Sequence, residues 1–224
     1  MLAWLALLLL CRWELVLAQS QKSRELAQGA NAAASFSLKP EPAWTLESDN
    51  DGIIVYSRKT EGSSIREVLA ETTMPAPLER VLKAIEDYRN YPEFMPYVEE
   101  STVLAEAEGM TWLFLQLGFP PPISDRYYTI VLQRASDPLD TSAILVRWDV
   151  ARDDLQRKKG NGIEVTINRG GWRLQPDAGA GATRVLYYVH TDPGGILPSW
   201  AINIANTVAV PKVIMGLKKK ALSK

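Results

Sequence analysis

The chain has 224 residues, 46% hydrophobic and 23% charged, with a formal net charge of −1. That length supports one large domain with a sizeable core. The near-neutral balance lacks the basic surface that nucleic acid needs, so no nucleic-acid partner is expected. The lysine run at 218–220 is a local exception, which a solvated helix end explains equally well.

The chain opens with MLAWLALLLLC, too short an apolar run for a ~20-residue spanning helix, and VLA at 16–18 sets short residues where a signal peptidase reads. Residues 1–18 are therefore expected to be a signal peptide cleaved after Ala18, with a periplasmic or secreted product. An uncleaved membrane anchor is the alternative, because no basic residue precedes the run and Arg12 and Glu14 interrupt its end. Cys11 is the single cysteine, so a mature chain would have no disulfide, thiolate metal site or cysteine nucleophile. Residues 19–43, polar and alanine-rich, read as a linker or loose helix, which leaves 44–224 as the domain.

DGIIVYSRK (51–59) and SIREVLAETTM (64–74) read as a hairpin of strands across the turn residues EGS. Pro77 suits a helix's first turn, and Leu78, Val81, Leu82 and Ile85 recur at helical spacing, predicting one amphipathic helix that ends before Pro92. Six strand-like runs follow: VEESTVLAEAE, MTWLFLQLGF, SDRYYTIVLQR, SAILVRWDVAR, GIEVTINRGGWRLQP and TRVLYYVHTD. Short connections between them argue for an antiparallel sheet. Past DPGGILP a long helix is expected from about Pro198 to Leu222, kinked at Pro211, with Trp200, Ile204, Val208, Met215 and Leu222 along its apolar stripe. A curved sheet of about eight strands wrapping that helix would leave a pocket between the two.

Little in this chain points to catalysis. His190 is the only histidine, which excludes paired-histidine metal sites, and no metal or cofactor is expected. It alternates with Leu186 and Tyr188, so the three share a sheet face. Arg147 and Asp149 alternate against Ile144, Val146 and Trp148, which reads first as a solvent face. Trp112, Phe114, Tyr127, Tyr128, Trp148, Trp172, Tyr187 and Tyr188 are spread over the strands, and core packing or a lipid pocket would recruit the same residue types. In FPPPISDRYYTIVLQ (119–133), three prolines stiffen the chain before Asp125 and Arg126, and that pair is expected to pin the strand's entry to a neighbouring segment.

From about Trp44 to its end the chain resembles the START lipid-transfer family of the helix-grip superfamily. The likeness is carried by DGIIVYSR (51–58), by 74–101, by PPPISDRYYT (120–129), by GGWRLQP (170–176), by TRVLYYVHTDPGGILPSW (183–200) and by the closing helix. One departure stands out: the family's second Asp after Arg126 is Tyr127 here. The resemblance implies an α+β helix-grip fold, a curved antiparallel sheet around a long C-terminal helix with an internal apolar cavity. It implies a non-enzymatic monomer that binds, and can transfer, a lipid or hydrophobic small molecule, with transient membrane contact. The residues expected to line the cavity are Trp112, Arg126, Arg147, Asp149, Tyr188, His190, Trp200, Ile204 and Val208. In START-like proteins a charged pair in the cavity can hold a polar headgroup, and Arg147 with Asp149 is the pair in question. An aromatase/cyclase or hydratase of the same superfamily is the alternative, and a groove for a partner helix is a third reading.

Overall fold

The structure, a computed structural model, describes residues 44–60, 65–152, 156–177, 181–195 and 208–223. The chain divides into Met1–Leu38 and Lys39–Lys224, and every described residue belongs to the second unit. In chain order come β1 (Thr45–Asn50), β2 (Ile53–Lys59), β3 (Arg66–Met74), α1 (Leu78–Glu86), a 3₁₀ turn at Tyr88–Asn90 and α2 (Tyr91–Phe94). Then follow β4 (Val98–Ala107), β5 (Met110–Leu117), β6 (Arg126–Asp137), β7 (Asp140–Val150), β8 (Ile163–Glu164), β9 (Ile167–Asp177), β10 (Ala182–Asp192) and α3 (Val210–Leu222).

The strands form one sheet in the order β1–β2–β3–β10–β9–β7–β6–β5–β4, all antiparallel along that path, with β8 pairing parallel to β6. The link from β3 to β4 therefore crosses the width of the sheet, carrying α1 and α2, and the later strands return to close beside β3. Register shifts in β1, β4 and β6 bend the strands locally, as bulges do.

One strand start needed correcting. Asp51 and Gly52, read from the sequence as the start of a strand, are its turn: their φ values of 54° and 71° are the positive pair a tight hairpin requires. This turn creates β1, which the hydropathy pattern did not reveal because Leu46 is exposed. The predicted helix is present as α1, with Leu78, Val81, Leu82 and Ile85 all buried. Pro92 does more than end it, since it opens α2 in the first turn.

One face of the sheet, here the inner face, carries the core. Val55, Ala70, Met74, Leu113, Leu115, Ile130, Leu132, Val146, Trp172, Leu174, Val185 and Val189 share one buried cluster with the inward residues of α1 and α3. Within α3 the buried stripe is Val210, Ile214, Leu217 and Ala221. The expected stripe was rotated from this: Val208, Met215 and Leu222 repeat every seven residues on the exposed side. Pro211 lies in the first turn of the described helix, preceded by a π-type turn at 208–209. Gly216 explains why α3 sits so close to α2, because a β-carbon there would lie 2.1 Å from the carbonyl oxygen of Phe94. Lys220 then pairs with Asp87 at 2.6 Å, beyond the end of α1.

Candidate ligand-binding site

Strand alternation sets Tyr128, Trp148, Trp172 and Tyr187 on the inner face, next to the core cluster. Their rings form a layer, with Trp172 and Tyr187 centroids 4.3 Å apart and Trp148 and Tyr187 5.9 Å apart. Gly170 makes this possible: a β-carbon there would stand 2.4 Å from the Trp148 ring. Asn168, two residues away on the same face, is buried and accepts a hydrogen bond from Trp148 Nε1 at 2.9 Å. It also bonds to the Tyr128 hydroxyl.

Burial pushes the Tyr128 phenol up to about 12, against the pull of the Asn168 bond. Burial also raises Tyr187, further than Tyr128, with a smaller electrostatic push from Tyr128. Yet Tyr128, Trp148 and Tyr187 all keep accessible surface. Half-buried aromatic rings on an apolar face present surface that a ligand can cover, with a few neutral hydrogen-bonding groups beside it.

Arg126 stands at one end of this face, on the same side of β6 as Tyr128, Ile130 and Leu132, and is 3% exposed. Its Nε donates to Pro193 O at 3.3 Å, Nη2 to Gly194 O at 3.4 Å, and Nη1 to Ser124 O. The guanidinium thus ties the entry of β6 to the chain leaving β10. Asp125 acts separately, its carboxylate accepting the Phe119 N–H at 3.2 Å. Pinning of the strand entry, expected of the pair, is accomplished by Arg126 on backbone carbonyls. Burial lowers the Arg126 pKa, and the nearby Asp125 opposes that shift.

Other residues expected in the cavity do not join the layer. Trp112, Arg147, Asp149, Tyr188 and His190 lie on the outer face, because each alternates with a neighbour that the core claims: Leu113, Trp148, Tyr187 and Val189. Tyr188 donates to Glu67 at 2.8 Å, and Arg58 Nε bonds the same carboxylate at 2.7 Å. Burial works against the Glu67 charge, but the bonds from Tyr188 and Arg58 outweigh it and hold the carboxyl below its usual range. His190 is buried, and that burial, with help from Arg169, lowers its pKa. Asp149 accepts the N–H of Val150. Val208 is exposed, and Trp200 and Ile204 lie outside the described residues. Asn168 was not foreseen, although its two-residue spacing from Gly170, Trp172 and Leu174 marks it as an inner-face position.

Residues 74–218 match the family described as polyketide cyclase/dehydrase and lipid transport. The chain belongs to that family. The STAR-related lipid transfer protein of Xanthomonas axonopodis is 29% identical, with a TM-score of 0.71 over 81% of this chain and 99% of that one. Human StAR-related lipid transfer protein 5, at 14% identity, shows the same fold with a TM-score of 0.75 over 90% of this chain and 95% of that one. The mouse phosphatidylcholine transfer protein is 28% identical over 182 residues, 79% of this chain and 82% of its own. The START resemblance and the helix-grip fold read from the sequence are both borne out.

Proposed function

We propose that this chain binds a lipid or another hydrophobic ligand in the hollow between the inner face and α3, and carries it between membranes. The observation that supports this most directly is the accessible surface kept by Tyr128, Trp148 and Tyr187 inside an otherwise apolar layer. A ligand burying ~400 Å² there would gain roughly 10 kcal/mol before ordering costs, so few polar contacts are needed. The lipid-transfer relatives point the same way.

A binding role without catalysis is part of the proposal. The phenols of Tyr128 and Tyr187 are raised by burial and stay protonated near neutral pH, where a general base would have to be free. Arg126 directs three of its five N–H donors to backbone carbonyls, which fits a positioning role at the strand entry. Export, a monomeric state and brief contact with a membrane complete the reading, and the apolar start with VLA at 16–18 supports the first of these.

The test is native mass spectrometry on protein purified from its own host, and again after incubation with lipid vesicles. A bound lipid at one per chain is expected. Protein that carries no apolar ligand under either condition refutes the proposal.

A further inference from the structure

We infer that the ligand's head carries a phosphate, held with Arg66 as its contact at the end of the inner face where β3 begins. This rests on the lipid-binding reading above and names the head that the site takes. Strand alternation carries Val55, Ser57 and Lys59 along the inner face of β2, and Arg66, Val68 and Ala70 along that of β3. The ladder sets Ser57 opposite Val68 and Lys59 opposite Arg66, so two cations share one end of the face that carries the core cluster.

The part that fixes the guanidinium comes from β1. A register shift between Leu46 and Ser48 gives β1 one extra residue, Glu47, and a bulge of this kind re-aims a side chain. Glu47 Oε1 accepts from Ser57 Oγ and, at 3.3 Å, from Arg66 Nη2. Ser57 is fully buried, and its Oγ accepts the Arg66 Nε–H at 2.8 Å. These two bonds hold the guanidinium plane and use two of its five N–H donors. The other three, two on Nη1 and one on Nη2, have no partner among the described residues. The Arg66 side chain is 28% exposed, so a ligand can reach them. A fork fixed along one edge and open along the other suits two oxygens of a phosphate. Two cations against one carboxylate leave one positive charge in excess, which a phosphodiester neutralises.

The rest of the face sets the ligand's direction. Thr191 lies one position beyond His190, the partner of Glu67, and it pairs with Asn168. Arg66, Thr191 and Asn168 therefore form a polar row across β3, β10 and β9. Toward the other end the inner residues include Ile53, Met74, Leu174 and Val185. Two hydroxyls at that end are already spent, with Thr72 donating to Gly52 O at 2.7 Å and Thr183 to Ala76 O at 2.8 Å. That end suits acyl chains, and the Arg66 end suits the head.

The experiment incubates the full chain with vesicles of phosphatidylethanolamine and phosphatidylglycerol, doped with diacylglycerol of the same acyl chains. Mass spectrometry of the re-isolated protein then gives the ratio of phospholipid to diacylglycerol carried, relative to the vesicles. Enrichment of phospholipid is expected. Arg66→Gln should lower the ratio about ten-fold, as loss of a hydrogen-bonded charge does, and Arg66→Lys should recover part of it. The ratio is read on loaded protein, so a variant that merely folds poorly loses both lipids together. Lys59→Glu changes an exposed side chain and should lower the ratio about three-fold at an unchanged melting temperature. Diacylglycerol carried as readily as phospholipid overturns the inference and leaves lipid binding standing. A ratio that Arg66→Gln leaves unmoved overturns the assigned contact. Inorganic phosphate that displaces the carried phospholipid at equal concentration would make this a site for the free ion and overturn its role as a headgroup contact. If none of the three lipids is carried, both this inference and the lipid-binding reading fall.

Discussion

Replacing Arg126 with alanine removes a guanidinium that is 3% exposed and donates to the carbonyls of Ser124, Pro193 and Gly194. A hydrogen bond with a charged partner contributes about 1.5–3 kcal/mol. Two of these three are long, at 3.3 and 3.4 Å, and burying the charge offsets part of the gain. A loss of ~3 kcal/mol is therefore expected for the whole set, with some of it from the alkyl stem. In a domain of this size that corresponds to a fall in Tm of about 6–12 °C. Lysine at this position keeps the charge but not the planar fork, and should recover only part of the loss. Thermal unfolding followed by circular dichroism, with lipid retention measured on the same samples, reads the outcome. An unchanged Tm with lipid retention abolished would refute the reasoning and make Arg126 a ligand contact.

Gly216→Ala should lower Tm despite alanine's better helix propensity, because the new β-carbon would meet the Phe94 carbonyl oxygen at 2.1 Å and force α3 away from α2. An unchanged Tm would show that the two helices separate freely. His190 has a folded-state pKa below its ordinary 6.5, so the stability it contributes is complete above about 6.5 and falls as pH drops from there toward the folded value. As the single histidine, it should account for any loss in that window, and urea unfolding of His190→Gln across pH should show that part of the profile flattened. Glu67 acts in the same direction at lower pH: its folded pKa is depressed, so its contribution is lost as pH falls below the usual glutamate range, and Glu67→Gln should remove that loss from the unfolding profile. N-terminal sequencing of the exported form should begin at Gln19, and an intact Met1 in a membrane fraction would show an anchor instead.

Local pattern was enough for most elements. Six strand-like runs marked β4 to β7, β9 and β10, with alternation clearest in β6, β7 and β10, while the run GIEVTINRGGWRLQP, read as one strand, is split into β8 and β9; Leu78, Val81, Leu82 and Ile85 marked α1, because each residue there reports only on its neighbours along one strand or helix. The order of those elements, with the motifs at 120–129 and 170–176, was enough for the fold. Tertiary structure decided which side of each element is inside. Alternation separates Trp148 from Arg147 and Tyr187 from Tyr188, but both members of each pair look equally fit for a cavity until α1 and α3 cover one face. The same ambiguity rotated the stripe on α3: Val208, Met215 and Leu222 are as apolar as Val210, Ile214 and Leu217, and only the packing of Gly216 against Phe94 selects between the two faces. Arg126 shows the limit most clearly. Its partners are carbonyl oxygens of residues 193 and 194, whose side chains carry no trace of the bond, so only the fold could bring them within its reach.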